Sequence, residues 1–396
     1  MPGIVDGTLF GSLKSERAAL TNWLCGSALP LWAGRGVDRE NGGFYERMAQ
    51  DGRVIDDPRR TRLVARQTYV FATAAEMGWT DAQRARELVF HGLDFLFGKC
   101  ATDIGLAHAA VSPAGEPVDP EFRLYDHAFF LFSLGVSARL DYQCTRATNA
   151  GRRMLREMVR LRKHPQGGFE ESVPPSKQLN ANPHMHLLEA CLEWEAADIE
   201  GPWRAISDEL VELALTRFID AETGCLREHY DHDWKPAPGE NGRLLEPGHH
   251  FEWAWLLWRW GRARDRADAF CAARRLVTFG ELNGVNTATG LAVNVIWDDA
   301  SLHDGDSRLW PQTERIKAHI AMAELARDQA EFNHAMRCVV EAVTGLQRYF
   351  RTDIPGLWHE TLDRRGERVL APARASSFYH IVCAIRELDG FVNSYV

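Results

Sequence analysis

The chain has 396 residues, 45% hydrophobic and 26% charged, with a formal net charge of −9 at pH 7. Mixed charge with an acidic excess excludes the basic stripe of a nucleic-acid-binding protein and gives no attraction to an anionic membrane. No apolar run approaches the ~18 residues of a membrane-spanning helix, and the start, Met1-Pro2-Gly3-Ile4-Val5-Asp6, lacks the basic and apolar segments of a signal peptide.

In chain order, helical periodicity dominates and strand signals are rare. Helices are predicted at 14–33, 58–77, 81–98, 120–140, 143–163, 183–197, 201–218, 247–264, 265–279, 311–327, 329–348 and 373–392. Gaps after the even helices are short, as at Gly78-Trp79-Thr80. Gaps after the odd ones are long and rich in Gly, Pro and Asp, as from Gly34 to Asp57, Asp220 to Glu246 and Gly280 to Trp310. Pro58, Pro120, Pro183, Pro247, Pro311 and Pro372 stand near the openings of the even helices, at separations of 62, 63, 64, 64 and 61 residues. A near-constant period of this kind marks a repeat architecture. Six helical hairpins predict an all-α fold, an (α/α)6 barrel. Its even helices, more apolar and aromatic, form the inner layer, and charge-rich odd helices such as 81–98 form the outer one. No low-complexity linker interrupts the pattern, so one domain over 1–396 is expected. The eight cysteines (25, 100, 144, 191, 225, 271, 338 and 383) include no C-x-x-C pair and read as buried thiols in a reducing, cytoplasmic setting.

All inner helices should begin at one mouth, and each carries polar groups in its first turns. These are Arg62, Arg66 and Tyr69; Arg123, Tyr125 and His127; Asn182, His184, His186 and Glu189; His249 and Glu252; Trp310 and Glu314, followed by Arg315 and Lys317; and Ser376, Ser377 and His380. In Glu246-Pro247-Gly248-His249-His250-Phe251-Glu252-Trp253, Pro247 suits a first helical position, and His249 and Glu252 share a face with Trp253, Leu256 and Trp260. Singly, each group has a structural explanation, and the tryptophans from 253 to 260 read as core. Together, polar groups at one end of six inward helices need a polar partner. Histidines, carboxylates, an arginine and aromatic faces suit a neutral polyhydroxylated ligand. No Gly-rich phosphate loop, H-E-x-x-H metal motif or G-x-S-x-G elbow is present. His249 and His380, on different helices, suit reversible proton transfer near neutral pH. Glycoside hydrolysis through Glu252 and Glu314 leaves the histidines unexplained, and a sugar-binding protein has no need of a proton-transfer pair.

Seven segments carry a resemblance. They are Gly42-Gly43-Phe44-Tyr45-Glu46, Ala65-Arg66-Gln67-Thr68-Tyr69, Tyr125-Asp126-His127-Ala128-Phe129, Asn182-Pro183-His184-Met185-His186-Leu187-Leu188-Glu189, Pro247-Gly248-His249-His250-Phe251-Glu252-Trp253, Trp310-Pro311-Gln312-Thr313-Glu314 and Phe378-Tyr379-His380. In this order they resemble the N-acylglucosamine 2-epimerase superfamily over nearly the whole chain, and most of all its D-mannose isomerase branch. The resemblance implies an (α/α)6 barrel and cofactor-free aldose–ketose isomerisation or 2-epimerisation of a monosaccharide, with no metal. It implies His249 and His380 as the catalytic pair and Arg66, His127, His186, Glu252, Trp310 and Glu314 as substrate-pocket residues. A sulfonated-sugar isomerase would need a further cation, for which Arg243 or Lys235 is placed in sequence. Monomer and homodimer are both compatible with the acidic surface.

Overall fold

The computed structural model describes residues 7–79 and 81–395, so the readings made on Met1 to Asp6 and on Thr80 fall outside it. Among the described residues, twelve helical rods follow one another: α1 (7–35), α2 (Thr61–Glu76), α3 (82–100), α4 (Leu124–Arg139), α5 (Cys144–Arg162), α6 (Ala181–Ala197), α7 (203–218), α8 (Pro247–Arg264), α9 (Ala267–Gly284), α10 (Leu309–Glu324), α11 (Gln329–Gln347) and α12 (Ala375–Asn393). Rods α1, α3 and α7 each contain a five-residue π-helical turn. The expected helices are all present, with ends shifted by a few residues. The largest shift is at α1, already helical at Gly7.

Burial separates two layers. In α2 every residue from Leu63 to Ala74 is buried, whereas α5 buries only the stripe Ala147, Gly151, Met154, Leu155 and Met158, the pattern of a helix with one face to water. Successive even helices pack on one another, and α12 packs back on α2, closing the ring. Each odd helix from α3 to α11 lies on the even helix before it, while α1 lies on α12. The sixth hairpin is thus made by the two ends of the described chain, where Phe10 meets Tyr395 edge-on at 6.4 Å and Arg17 pairs with Asp389 at 3.2 Å.

The long loops contain short antiparallel pairings that periodicity did not reveal, because two residues are too few to show alternation. Each enters an inner helix. Arg59–Arg60 pairs with Ala110–Val111, Arg123 with Ser172, and Leu179–Asn180 with His229–Tyr230. Leu244–Leu245 pairs with Val295–Trp297, Ser307–Arg308 with Thr361–Leu362, and Ala373–Arg374 with Arg47–Met48. Each loop therefore clasps the next, and the last pairing returns to the first loop.

A glycine turn recurs in these loops. Gly42, Gly105, Gly167, Gly224, Gly290 and Gly356 all have φ between 70° and 96°, a region costly for side-chain-bearing residues. Four residues on stand Glu46, Ala109, Glu171, Glu228, Asn294 and Glu360. The carbonyls of Glu46, Ala109, Glu171, Glu228 and Glu360 accept the first N–H of α12, α2, α4, α6 and α10. Helix α8 needs no such acceptor because it begins with Pro247. The side chains of Glu46, Glu171, Glu228, Asn294 and Glu360 accept the N–H just before α2, α6, α8, α10 and α12. Helix N-termini normally leave such donors unpaired. Here Glu46, Glu171, Glu228 and Glu360 each satisfy two donors and tie two neighbouring inner helices together. The prolines keep their period, but only Pro247 occupies a first helical position.

Candidate active site

Counting from each true helix start resolves the mouth into layers. Residues four apart on a helix lie one above the other, so second and sixth residues share the inward face. The sixth residues are Arg66, Phe129, His186, Glu252, Glu314 and His380, one per inner helix. From Arg66 round to His380, each touches or approaches the next. The Arg66 guanidinium lies 3.9 Å from the Phe129 ring centre, and Phe129 is 4.5 Å from His186. His186 Nδ1 is 3.8 Å from Glu252. Donor atoms of Glu252, Glu314 and His380 lie within 4.8 Å of one another, with His380 Nδ1 donating to Glu314 Oε1 at 2.8 Å. Above them, the second residues include Arg62, Tyr125, Asn182 and Trp310. Tyr125 accepts from Arg66 at 2.8 Å, and the buried Asn182 Oδ1 has no protein donor. His249 joins this upper level. Its ring is 4.9 Å from Trp310, which is in turn 5.6 Å from His380. Gly248 makes room for the indole, since a Cβ there would meet Trp310 at 2.5 Å.

The two histidines are held in opposite states. Burial opposes a charge on His249, but Glu228 and Glu246, with the 2.8 Å bond from Nδ1 to Glu228 Oε2, overcome it and raise its pKa to about 9. Burial, then Arg66 and Lys317, drive His380 well below 6.5. At neutral pH these shifts favour an imidazolium at His249 and a neutral imidazole at His380, whose Nδ1 is the nitrogen facing Glu314. Burial also holds His186 down at about 3. Burial and the neighbouring Glu314 push Glu252 well above the usual carboxylate range, and neither of its oxygens has a hydrogen-bond partner.

His127 stands apart from the pocket. It is the fourth residue of α4, its Nδ1 bonds the Arg123 carbonyl at 2.8 Å and its Nε2 accepts from Ala107 N–H at 3.0 Å. His184, His250 and Gln312, the fourth residues of α6, α8 and α10, bind Asn180 and Phe169, Glu246 and Leu226, and Arg308 and Ala292 in the same way. These four are staples between a helix and the loop before it, with their polar atoms spent on backbone. Arg243 and Lys235 are also placed away from a sugar role: both are exposed and paired, with Asp298 and Asp299 and with Asp233. Glu228, the partner of His249, escaped the reading of helix faces because it lies in a loop. Its place four residues after Gly224 in the recurring turn is the signal that would have found it.

His and carboxylate donors also converge at His186, Glu189 and Glu252, and at Glu228, Glu246 and His249. Around Glu314 the balancing cation is supplied by the chain itself, because Lys317 Nζ lies 2.6 Å from its Oε2. A further cluster, His164, Glu170 and His232, is a hydrogen-bonded group of loop residues. Gln166 N–H donates to His164 Nδ1, and His232 Nε2 bonds the Ser176 carbonyl.

The family profile described as N-acylglucosamine 2-epimerase (GlcNAc 2-epimerase) matches residues 43–384, which include the whole inner ring down to Cys383 and the pocket residues named above. The chain belongs to the N-acylglucosamine 2-epimerase family. Among proteins similar to this member is a mannose-6-phosphate isomerase of Rhizobium meliloti (strain 1021), 42% identical over 94% of this chain and 97% of its own. Solved structures with the same fold include cellobiose 2-epimerase from Spirochaeta thermophila DSM 6192 (TM-score 0.86, 19% identity, 98% of this chain and 99% of that one). They also include a D-mannose isomerase (TM-score 0.80, 17% identity, 96% and 97%). These matches agree with the (α/α)6 barrel and with the resemblance noted in the sequence.

Proposed function

We propose that the protein is a cofactor-independent aldose–ketose isomerase interconverting D-mannose and D-fructose, with D-lyxose and D-xylulose as a second substrate pair, and that 1–396 acts as one catalytic domain. The observation that carries this reading is the histidine pair with pKa values driven apart, His249 charged and His380 neutral, both against Trp310. Divergent pKa values in one site distinguish an acid from a base. The family membership and the names of its relatives support a sugar isomerase or epimerase.

In the proposed mechanism, His249 gives a proton to the ring oxygen O5 and takes the O1 proton in exchange, which opens the pyranose to the aldehyde. His380 Nε2 takes the C2 proton, and the electron pair moves into the C1–C2 bond and on to O1. The oxyanion is met by Arg66, the fixed cation of the ring, and by the protonated Glu252. Return of that proton from His380 to C1, as the proton of the C2 hydroxyl passes to O1, gives the ketose. Trp310 offers an aromatic face to the sugar C–H groups, and His186 and Glu314 complete the pocket.

Free sugar is preferred here to the 6-phosphate in the Rhizobium relative's name. Arg60, Arg62 and Arg308 near the mouth are already neutralised by Glu46, Asp126 and Glu246. The second reading is 2-epimerisation, favoured by the cellobiose 2-epimerase fold relative and differing only in the face of C2 to which the proton returns.

The test is proton NMR of D-mannose with chelator-treated protein in D2O, repeated with mannose 6-phosphate. Fructose deuterated at C1, formed from the free sugar, is the expected result, and a His380→Asn variant should abolish it. C2-deuterated glucose with little fructose would replace the isomerase reading with the epimerase one. Turnover of the phosphate ester alone would overturn the substrate assignment.

A further inference from the structure

Beneath the sixth residues lies a third layer, the ninth residues Tyr69, Phe132, Glu189, Trp255, Lys317 and Cys383. Tyr69 stacks on Phe132 at 4.6 Å, and Cys383 Sγ donates to the Tyr69 hydroxyl at 3.1 Å. The ammonium of Lys317 sits 3.7 Å from the Trp255 ring centre. Lysine ordinarily carries its charge out to water, yet both Lys317 and Glu314 side chains have no solvent exposure. A buried charge of this kind persists only where its partners hold it.

We infer that Lys317 is a positioning residue that keeps Glu314 ionised, and so fixes the His380 proton on Nδ1 and its lone pair on Nε2. The inference rests on the proposed role of His380 as the base.

The surrounding charges support it. Facing the Lys317–Glu314 pair are Glu189 and His186 from α6, Glu252 from α8, and Tyr379, His380 and Cys383 from α12, while Arg66 from α2 and His249 from α8 act on His380. With His249 engaged by Glu228 and Glu246, Arg66 and Lys317 are the cations left against three carboxylates, Glu189, Glu252 and Glu314. A desolvated cluster tolerates two carboxylates against two cations, and the third takes a proton. Glu252, with two unpartnered oxygens, is that third group. Burial opposes charge on Glu189, but His186, Lys317 and the Tyr379 hydroxyl hold it down at about 2. Burial pushes Glu314 up and Lys317 is the first group pulling it back. Without Lys317, one cation faces three carboxylates, and Glu314 takes up a proton. Its contact with His380 Nδ1 then loses its charge, and His380 becomes a weaker base in a less defined tautomer.

The experiment compares wild type, Lys317→Met, Lys317→Arg and the double variant Glu314→Gln/Lys317→Met. Two readouts are used: the pH profile of mannose isomerisation, and 15N NMR of histidine-labelled protein. Lys317→Met should lose about 10- to 100-fold in kcat at pH 7 with KM within about twofold. Its acid limb should move up by about one pH unit or more, because the lost cation raises the carboxylate. Lys317→Arg should restore most of the rate. The His380 resonances should report the Nδ1-protonated tautomer in wild type and in Lys317→Arg, and a tautomer mixture in Lys317→Met and in the double variant. That variant removes both buried charges and is the one to use if Lys317→Met fails to fold. Equal loss at every pH, or a wild-type His380 protonated on Nε2, would overturn the inference. A wild type that exchanges no monosaccharide proton would defeat the functional reading instead, and the NMR comparison would still decide the role of Lys317.

Discussion

His249 and His380 are the same group in opposite surroundings. His249 faces the carboxylates of Glu228 and Glu246, while His380 shares its one hydrogen-bonded carboxylate with Lys317. This difference has a consequence for stability. His249 binds its proton more tightly in the folded chain, at about 9 against an ordinary 6.5. Its contribution is therefore complete below pH 6.5 and lost as pH rises through 9. The gap in thermal midpoint between wild type and Glu228→Gln should be widest below the lower value and should narrow across that window. Parallel curves would show that Glu228 does not hold the proton. Arg66 is the residue outside the histidine pair whose loss should cost the reaction most. Arg66→Met removes the cation at the developing oxyanion and should lower kcat by roughly 10²- to 10³-fold, and a drop confined to KM would reassign it to ground-state binding. Five of the six sixth-position residues, all but Phe129, were legible as pocket candidates because helical spacing carries them. His127 was misplaced for a definite reason. With the helix starting at Leu124 and not at 120, it falls at the fourth position, about 200° around the axis from the sixth, and so faces the preceding loop.

At the scale of single elements, the staples show one task done by two residue types. Gln312 in α10 does with its amide what His127, His184 and His250 do with imidazole, bonding a carbonyl four residues back and an amide in the preceding loop. The geometry therefore asks for one donor and one acceptor, not for a titratable ring. His127→Gln should melt close to wild type with unchanged kinetics. His127→Leu leaves the Ala107 N–H and Arg123 carbonyl without their side-chain partner and should cost about 2–4 kcal/mol. A large rise in KM in either variant would return His127 to the pocket. The helices themselves were readable throughout, because ten or more residues display a period. The clasps between loops were not, because a two-residue strand displays none. Their trace in the sequence is the glycine spaced four residues before Glu46, Glu171, Glu228 and Glu360, a signal carried by φ and not by hydropathy.

At the scale of the molecule, every hairpin is held on both sides. A linear repeat protein has terminal units with one neighbour missing, and it frays from them. Here α12 closes on α2, Ala373–Arg374 pairs with Arg47–Met48, and Glu46 binds both the first N–H of α12 and the one preceding α2. Opening any one clasp exposes two edges at once, so labels placed on α1 and on α6 should report the same unfolding midpoint, and separated midpoints would show a seam. The meeting of Phe10 with Tyr395 adds something else. The described chain has two ends, but the ring it builds has none, and which hairpin carries the break is architecturally arbitrary. A circularly permuted gene that links the present ends and opens the turn at Asp265-Arg266, between α8 and α9, should still encode the same barrel with its histidine pair intact.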